Sequence, residues 1–349
     1  MNDLSAFSPR RILVCQQRQI GDVLLTVPVF RALRKRFPQA ELHLFTEKKC
    51  EPLLRHHPCI DAFHLIDKKD GLFRQLVFYR KVAACRFDLV IDLQQLPRCR
   101  TMTLLSRAPV RLSFPSSPLI HWRYTHLTEP EDGYASQTKV SLLKPLGIRW
   151  DGFGPDIHFL SEEREQAREL LRVSGWHGGR LVSIDSTHRR PSKRWPAERF
   201  AALIHKLSEQ EDDLYFLFLR GPGEDEAIAA LRELCLRLGV ASEKLCIPAQ
   251  SPDIRLSAAC IAEAALHIGC CSSPRHIAAA VGTPSLVIPG ASGTAWRLPS
   301  EKHQELRPDL SCQPCSRVDC PDPQCLLQVT PDMALLKALE MLKAFSSNA

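Results

Sequence analysis

The sequence has 349 residues, 44% hydrophobic and 24% charged, with 46 basic and 39 acidic side chains giving a net charge of +7. That balance excludes collagen, coiled coil and chains too polar to fold. At about 100–200 residues per domain it predicts roughly two domains with sizeable cores. No apolar run approaches the roughly 18–20 residues that span a bilayer. Residues 1–11 are polar and lack a signal-peptide apolar core, so the expected compartment is the cytoplasm. The 14 cysteines are read against its reducing conditions, which disfavour a disulfide scaffold. Cys15, Cys59, Cys85 and Cys260 are scattered and fit small core hydrophobes. The positive charge favours anionic partners (phosphorylated ligands, acidic headgroups or nucleic acid) without selecting one.

In chain order, residues 12–15 (ILVC) are the first predicted strand. Val23, Val27, Phe30, Leu33 and Phe37 then recur at helical spacing, with Pro28 expected to kink that helix. Residues 42–45 and 88–93 (DLVIDL) are further strands. The stretch 147–156, with Gly147, Gly152, Gly154 and Pro155, is the first linker candidate, and a helix is predicted over 162–173. The second half repeats the logic, with strands at 181–185, 215–219, 265–269 and 286–288. These are continuous apolar runs rather than alternating ones, the mark of parallel strands covered on both faces. The expected fold class is α/β, two doubly wound domains at 1–155 and 156–349. Such sheets bind ligands at the carboxyl ends of their strands.

Five segments carry candidate chemistry. Asp22 follows Gly21 beyond the first strand, where its carboxylate can take a proton from a substrate hydroxyl or simply cap a helix. Ser186, Thr187 and Lys193, with Arg189, Arg190 and Arg194 around them, suit a diphosphate; a solvated basic loop over a packed Trp195 is the plainer alternative. Glu224, in GPGEDE, can meet a nucleotide ribose, or belong to an acidic first helical turn favoured by the helix dipole. Ser273 is placed to cap a helix beginning at Pro274, whose free N–H groups would bind phosphate; a capped core helix with a satisfied His276 is the alternative. Cys312, Cys315, Cys320 and Cys325 put four thiols within 14 residues, enough for a structural zinc. Free or locally paired cysteines in a surface loop account for that spacing as well. No P-loop, HExxH or GxSxG motif occurs, and no GxGxxG follows the first strand.

Taken in order, six segments resemble one family. They are RILVCQQRQIGDVLLTVPVFRALRKRFPQAELHLF, DLVIDLQQLPR, KRWPAERFAAL, GPGEDE, SSPRHIAAAVGTP, and the late cysteine loop followed by Val329, Thr330 and Pro331. Over most of its length the chain resembles the ADP-heptose:lipopolysaccharide heptosyltransferases, glycosyltransferase family nine. The resemblance implies the GT-B fold, two Rossmann-like domains facing a central cleft. Residues 1–155 would be the acceptor domain and 156–349 the ADP-sugar donor domain, with a cysteine-rich loop at 312–325 and a closing helix after 331. It implies inverting, metal-independent transfer of heptose from ADP-L-glycero-D-manno-heptose to the inner core of lipopolysaccharide, with no cofactor required. By position, Asp22 matches the general base and Lys193 the lysine contacting donor phosphate and sugar. Thr187 matches a phosphate-contacting threonine and Glu224 the ribose-binding acid. Ser272, Ser273 and His276 fall in the segment wrapping diphosphate and sugar. Cys271 departs from the family pattern, standing where an aspartate usually touches sugar hydroxyls. Ser273 and Gln95 replace glycines, while Arg98 still matches.

An anionic, amphiphilic acceptor would be met at the cytoplasmic face of the inner membrane. Arg98 and Arg100, with Arg107, Arg111 and residues 121–123, are acceptor-side candidates by charge, against a solvated basic face. Residues 31–37 set Arg31, Arg34, Lys35 and Arg36 beside Leu33 and Phe37, giving either a peripheral membrane contact or a solvated helix face. No nucleic-acid partner is expected. Three other readings stay open: a GT-B enzyme using another nucleotide sugar, a noncatalytic nucleotide-sugar or glycolipid binding protein, and a zinc protein with a structural or nucleic-acid role resting on Cys312 to Cys325. His64, His121, His126 and His158 have no spacing that assigns them a role.

Overall fold

Residues 4–345 are described by a computed structural model, which divides into two compact units, Met1–His158 and Phe159–Ala349. In the first, strands β1 (Arg11–Cys15), β2 (Glu41–Glu47), β3 (Ala62–Ile66), β4 (Leu89–Asp92), β5 (Val110–Ser113) and β6 (His126–Leu127) are joined by α1 (Ile20–Leu24), α2 (Val27–Arg36), α3 (Leu72–Ala83), α4 (Pro97–Leu105) and α5 (Pro118–His121), and α6 (Ala135–Ser141) follows β6. All strands pair in parallel, in the order β3-β2-β1-β4-β5-β6. Strand order therefore reverses between β1 and β4, the point where doubly wound sheets bind ligands. Ile12, Leu13, Val14 and Cys15 are fully buried, which is why β1 reads as an unbroken apolar run.

The first helical pattern resolves into two helices rather than one kinked helix. Pro28 lies in the first turn of α2, where a missing N–H costs nothing. At the break, the Thr26 hydroxyl donates to the Val23 carbonyl at 2.6 Å. At 31–37 the apolar Leu33 and Phe37 are buried, which favours the solvated helix face over a membrane contact. Arg34 pairs with Asp61 at 2.5 Å. Arg31 pairs with Asp151 and Asp156, each at 2.9 Å, and donates to the Phe153 and Gly154 carbonyls. One guanidinium thus ties most of the glycine-rich stretch to α2.

The second unit begins with α7 (Ser161–Val173). Its strands are β7 (Arg180–Asp185), β8 (Leu214–Phe218), β9 (Leu245–Cys246), β10 (Leu266–Cys270), β11 (Ser285–Ile288) and β12 (His303–Glu305). Between them run α8 (Ala197–Gln210), α9 (Asp225–Arg237), α10 (Ile254–Ala262) and α11 (Ser273–Val281); α12 (Gln324–Leu327) and α13 (Pro331–Phe345) close the chain. The order β12-β11-β10-β7-β8-β9 is the same parallel winding, with its switch point between β7 and β10. Trp195, Phe200, Phe216 and Phe218 anchor a core shared with Ala334, Ala338 and Met341 of α13. Trp195 also donates its indole N–H to the Val329 carbonyl at 3.0 Å, so burial leaves no orphaned polar atom on that ring. Cys15 and Cys260 are buried as expected, whereas Cys59 and Cys85 are only half-buried.

Candidate functional site

In the second unit the chemistry gathers at the switch point. Asp185 ends β7 and is buried. Ser272, just beyond β10, donates its hydroxyl to the Asp185 carboxylate. Gly269 makes this approach possible: a Cβ there would lie 2.7 Å from Asp185 Cβ and 3.0 Å from its carbonyl oxygen. Burial pushes the Asp185 carboxyl up to about 7; Ser272 opposes that shift and nearby Glu224 adds to it. The N-cap of α11 is Ser272 rather than Ser273, and Pro274 occupies the second helical position. Because the Ser272 hydroxyl is committed to Asp185, it makes no capping bond, and the first-turn N–H groups remain available to an anion.

Lys193 ends a short turn, Pro191–Lys193, held on two sides. Ala291 N–H donates to the Ser192 carbonyl at 3.0 Å, an approach permitted by Gly290 (φ +54°), whose Cβ would meet that same oxygen at 2.4 Å. From the other side, the Ser192 hydroxyl donates to the carbonyls of Arg317 and Val318, at 2.5 and 3.1 Å. The cysteine-rich loop therefore braces the lysine turn. Burial lowers the Lys193 ammonium from its ordinary value; Cys271 opposes this, and Arg190, Arg275 and Arg307 reinforce it. Four cations share this neighbourhood. Arg275, itself buried, pairs with Glu305 at 2.7 Å and donates to the Cys271 sulfur at 3.2 Å. The position where a carboxylate was expected is thus a thiol held by a guanidinium. His276 is pushed down to about 3 by burial and by Arg275, so it is a neutral imidazole, and it packs against Trp296 at 5.9 Å. Glu224 stands at the N-cap position of α9 without a side-chain capping bond; its carboxylate accepts from Gly221 N–H at 2.6 Å. Thr187 is buried just beyond β7.

In the first unit Asp22 is the third residue of α1, where it accepts from Gln19 N–H at 3.3 Å. Lys139, on α6, donates to the Gln16 amide oxygen at 2.7 Å. Burial brings its ammonium down to about 8, opposed by the Asp22 carboxylate, so the two charges are neighbours. Asp92 ends β4, accepting from Tyr124 O–H at 2.8 Å and Gln95 N–H at 2.8 Å. Burial lifts it to about 6, with Arg100 among the groups opposing. Arg100 has a buried Nε without a hydrogen-bond partner among the described residues. Arg98 lies instead near Tyr79. Arg111 is structural, donating to the Arg123 and Ala108 carbonyls at 2.7 and 2.5 Å. Gln95 shows why it can replace a glycine: its φ is +52°, and its side chain holds that conformation by donating to Ser113 Oγ at 2.7 Å and to the Phe114 carbonyl.

Cys312 is exposed, Cys315 and Cys320 half-buried, and Cys325 buried, all as free thiols. Burial raises the Cys325 thiol and the other three add to that, so the four are neighbours. Among the described residues, however, the tight metal-type clusters are His43–His64–Cys85 and His57–Asp156–His158. One surface stands out. On α3, Leu72 (88% exposed), Phe73 (78%), Leu76 (45%) and Val77 (52%) face outward, with Lys68, Lys69, Arg74, Arg80 and Lys81 exposed around them. Asp185, Arg275, Lys139 and Asp92 are functional candidates that sequence reasoning missed. The only signal for Asp185 was an acid closing an apolar strand.

Two parallel doubly wound sheets, each gathering polar chemistry at its switch point, define a two-domain α/β enzyme. Residues 76–325 match glycosyltransferase family 9 (heptosyltransferase); the chain belongs to that family and is a glycosyltransferase. It is 28% identical to lipopolysaccharide heptosyltransferase 3 of Escherichia coli over 287 residues, 79% of this chain and 83% of that protein. The family 9 glycosyl transferase of Veillonella parvula superposes with a TM-score of 0.81 at 23% identity, covering 96% of this chain and 98% of that one. E. coli heptosyltransferase WaaC with ADP-2-deoxy-2-fluoro heptose superposes at 0.70 with 17% identity, covering 95% and 99%. The fold is therefore the GT-B class of the heptosyltransferases. No described helix is long and apolar enough to cross a membrane.

Proposed function

We propose that this enzyme transfers a heptose, with inversion, from ADP-L-glycero-D-manno-heptose to an acceptor hydroxyl of the lipopolysaccharide inner core. The observation that carries this reading is the cluster of Lys193, Arg190, Arg275 and Arg307 beside the uncapped amino terminus of α11. A solved relative in the same fold was captured with a fluorinated ADP-heptose.

In this reading Lys193, Thr187, Ser273 and the first N–H groups of α11 hold the diphosphate, Glu224 meets the ribose, and Ser272 and His276 line the sugar end. Asp22 takes the proton from the attacking hydroxyl as the bond from the anomeric carbon to ADP breaks. The negative charge that develops on ADP falls on preorganised cations, the largest contribution in many enzymes. Losing one such contact costs about 2.7–4 kcal/mol, or roughly 10²–10³ in rate. These cations do the work a metal ion would do at a leaving diphosphate, so the reaction needs no cofactor. Asp185, raised to about 7, is largely uncharged just below neutrality and does not repel the phosphates. Arg100 and Arg98 meet the anionic acceptor. The enzyme works at the cytoplasmic face of the inner membrane, and the apolar, base-rimmed face of α3 makes the peripheral contact. The Cys271–Arg275 pair in place of a carboxylate supports a second reading, a donor sugar other than heptose.

Calorimetric titration with ADP-heptose, ADP and UDP, with and without EDTA, tests the donor assignment. ADP and ADP-heptose should bind equally well in EDTA and lose affinity in Lys193→Ala. Preference for UDP would overturn the donor while leaving the fold intact.

A further inference from the structure

We propose that His43, His64 and Cys85 form a binding site for one thiophilic divalent transition-metal ion, Zn²⁺ foremost. Their ligand atoms all lie within 4.8 Å of one another, although 21 residues separate the histidines and another 21 separate His64 from Cys85. The fold assembles them: His43 is on β2, His64 on the edge strand β3, and Cys85 just past α3. His43 Nδ1 and His64 Nε2 face each other at 2.9 Å. Two ring nitrogens at that distance share one proton, and a metal ion can take the proton's place.

The surroundings match those of a metal-bound histidine. Such a ring typically donates its other N–H to a carboxylate, which fixes its tautomer and orientation. Here His43 Nε2 lies 3.6 Å from Glu41 Oε2, and the same carboxylate oxygen is held by Arg11 at 2.7 Å. The Phe87 ring meets both imidazoles edge-on, at 5.1 and 6.0 Å, which restricts their rotation. Two imidazoles and a thiolate suit Zn²⁺ with water as fourth ligand. Binding releases the thiol proton to solvent, while the shared ring proton moves to the other nitrogen of its own ring.

The second cluster lacks these features. Cys59 N–H donates to His57 Nδ1 at 3.2 Å, so the neutral ring carries its proton on Nε2, toward Asp156. The other Asp156 oxygen is taken by Arg31 at 2.9 Å. None of the His43–His64–Cys85 ligands belongs to the proposed transfer machinery. A metal there would clip β2 and β3 to the end of α3, the helix with the exposed apolar face.

Titration of the full chain with Co²⁺ under reducing conditions tests the site. One equivalent should bind with a thiolate-to-cobalt charge-transfer band that Zn²⁺ displaces. The band should vanish in Cys85→Ser, weaken in His64→Gln, and persist in the Cys312→Ser/Cys315→Ser double variant. Zn²⁺ at saturation should raise the Tm of the wild type by about 5 °C and leave Cys85→Ser unchanged. Circular dichroism and the metal-free Tm of Cys85→Ser report whether that variant folds. A band that survives Cys85→Ser and disappears with Cys312 and Cys315 would overturn the proposal, as would a folded wild type without any band.

Discussion

The Ser272 hydroxyl donates to the Asp185 carboxylate, joining the turn after β10 to the end of β7 across the switch point. The bond brings a carboxyl group to the turn that follows β10. It also withdraws Ser272 from capping, leaving the α11 amino terminus open.

The buried Asp185 makes stability depend on pH. Its carboxyl titrates near 7 in the folded chain and at the ordinary 3.8 when unfolded, so folding holds a proton that the unfolded chain has lost. Stability from this group therefore falls as pH rises from about 4 to about 7 and is level beyond. Asp185→Asn should match the wild-type Tm near pH 4 and exceed it above pH 7. A difference that does not vary with pH contradicts this reading. ADP affinity of the wild type should also weaken as pH rises through 7.

Lys139 carries a stability cost that activity would explain. Its ammonium titrates at about 8 when folded and at 10.5 when unfolded, so the cost of the buried charge is fully present below pH 8 and fades between 8 and 10.5. Lys139→Met should raise Tm at pH 7, with the gain shrinking at more alkaline pH. It should also lower kcat/KM roughly ten- to hundredfold, the size of a lost hydrogen bond to a charged group, about 1.5–3 kcal/mol. Unchanged kinetics would remove Lys139 from the site.

The α3 face gives a direct binding test. Sedimentation with vesicles rich in anionic lipid should capture the wild type but not Leu72→Ser/Phe73→Ser. Each nearby Lys or Arg adds about 1 kcal/mol at such a surface, so capture should fall in high salt and with zwitterionic vesicles. Equal capture of both proteins would rule the face out, and a wild type that self-associates through these residues would assign it to a second copy.

Gln95 tests the backbone account. Gln95→Ala keeps the left-handed φ but loses both side-chain bonds, and should cost roughly 1–2 kcal/mol in urea unfolding. Gln95→Gly loses the same bonds without the steric penalty and should cost less. The reverse order would contradict the argument.

What was legible in the sequence follows from burial. Strands β1, β2, β4, β7, β8, β10 and β11 announce themselves because most of their residues are buried on both faces. Their neighbours do not: β3 is half-exposed, β6 and β9 have two residues each, and β12 is the polar run His303–Glu305. Candidate residues with local motifs, such as Asp22 and Lys193, could be picked out from a few neighbours. Asp185 could not, because its partner lies 87 residues away. His43 and His64 meet only through the β2–β3 register, in which His64 stands opposite Phe45. Of the two readings of residues 31–37, the solvated helix face gains support from what the local pattern hides: Leu33 and Phe37 are buried, and the basic residues pair with acids up to 125 residues distant.

The central claim is transfer of heptose by displacement, with Asp22 removing the acceptor proton. The most direct test is single-turnover transfer from ADP-heptose to inner-core acceptor in EDTA, comparing the wild type with Asp22→Asn, with the product's anomeric configuration read by NMR. The expected result is wild-type transfer with inversion, unaffected by EDTA, and a rate loss of roughly 10²–10⁴ in the variant with donor affinity retained. Full transfer by a folded Asp22→Asn protein, or a product with retained configuration, would contradict the account.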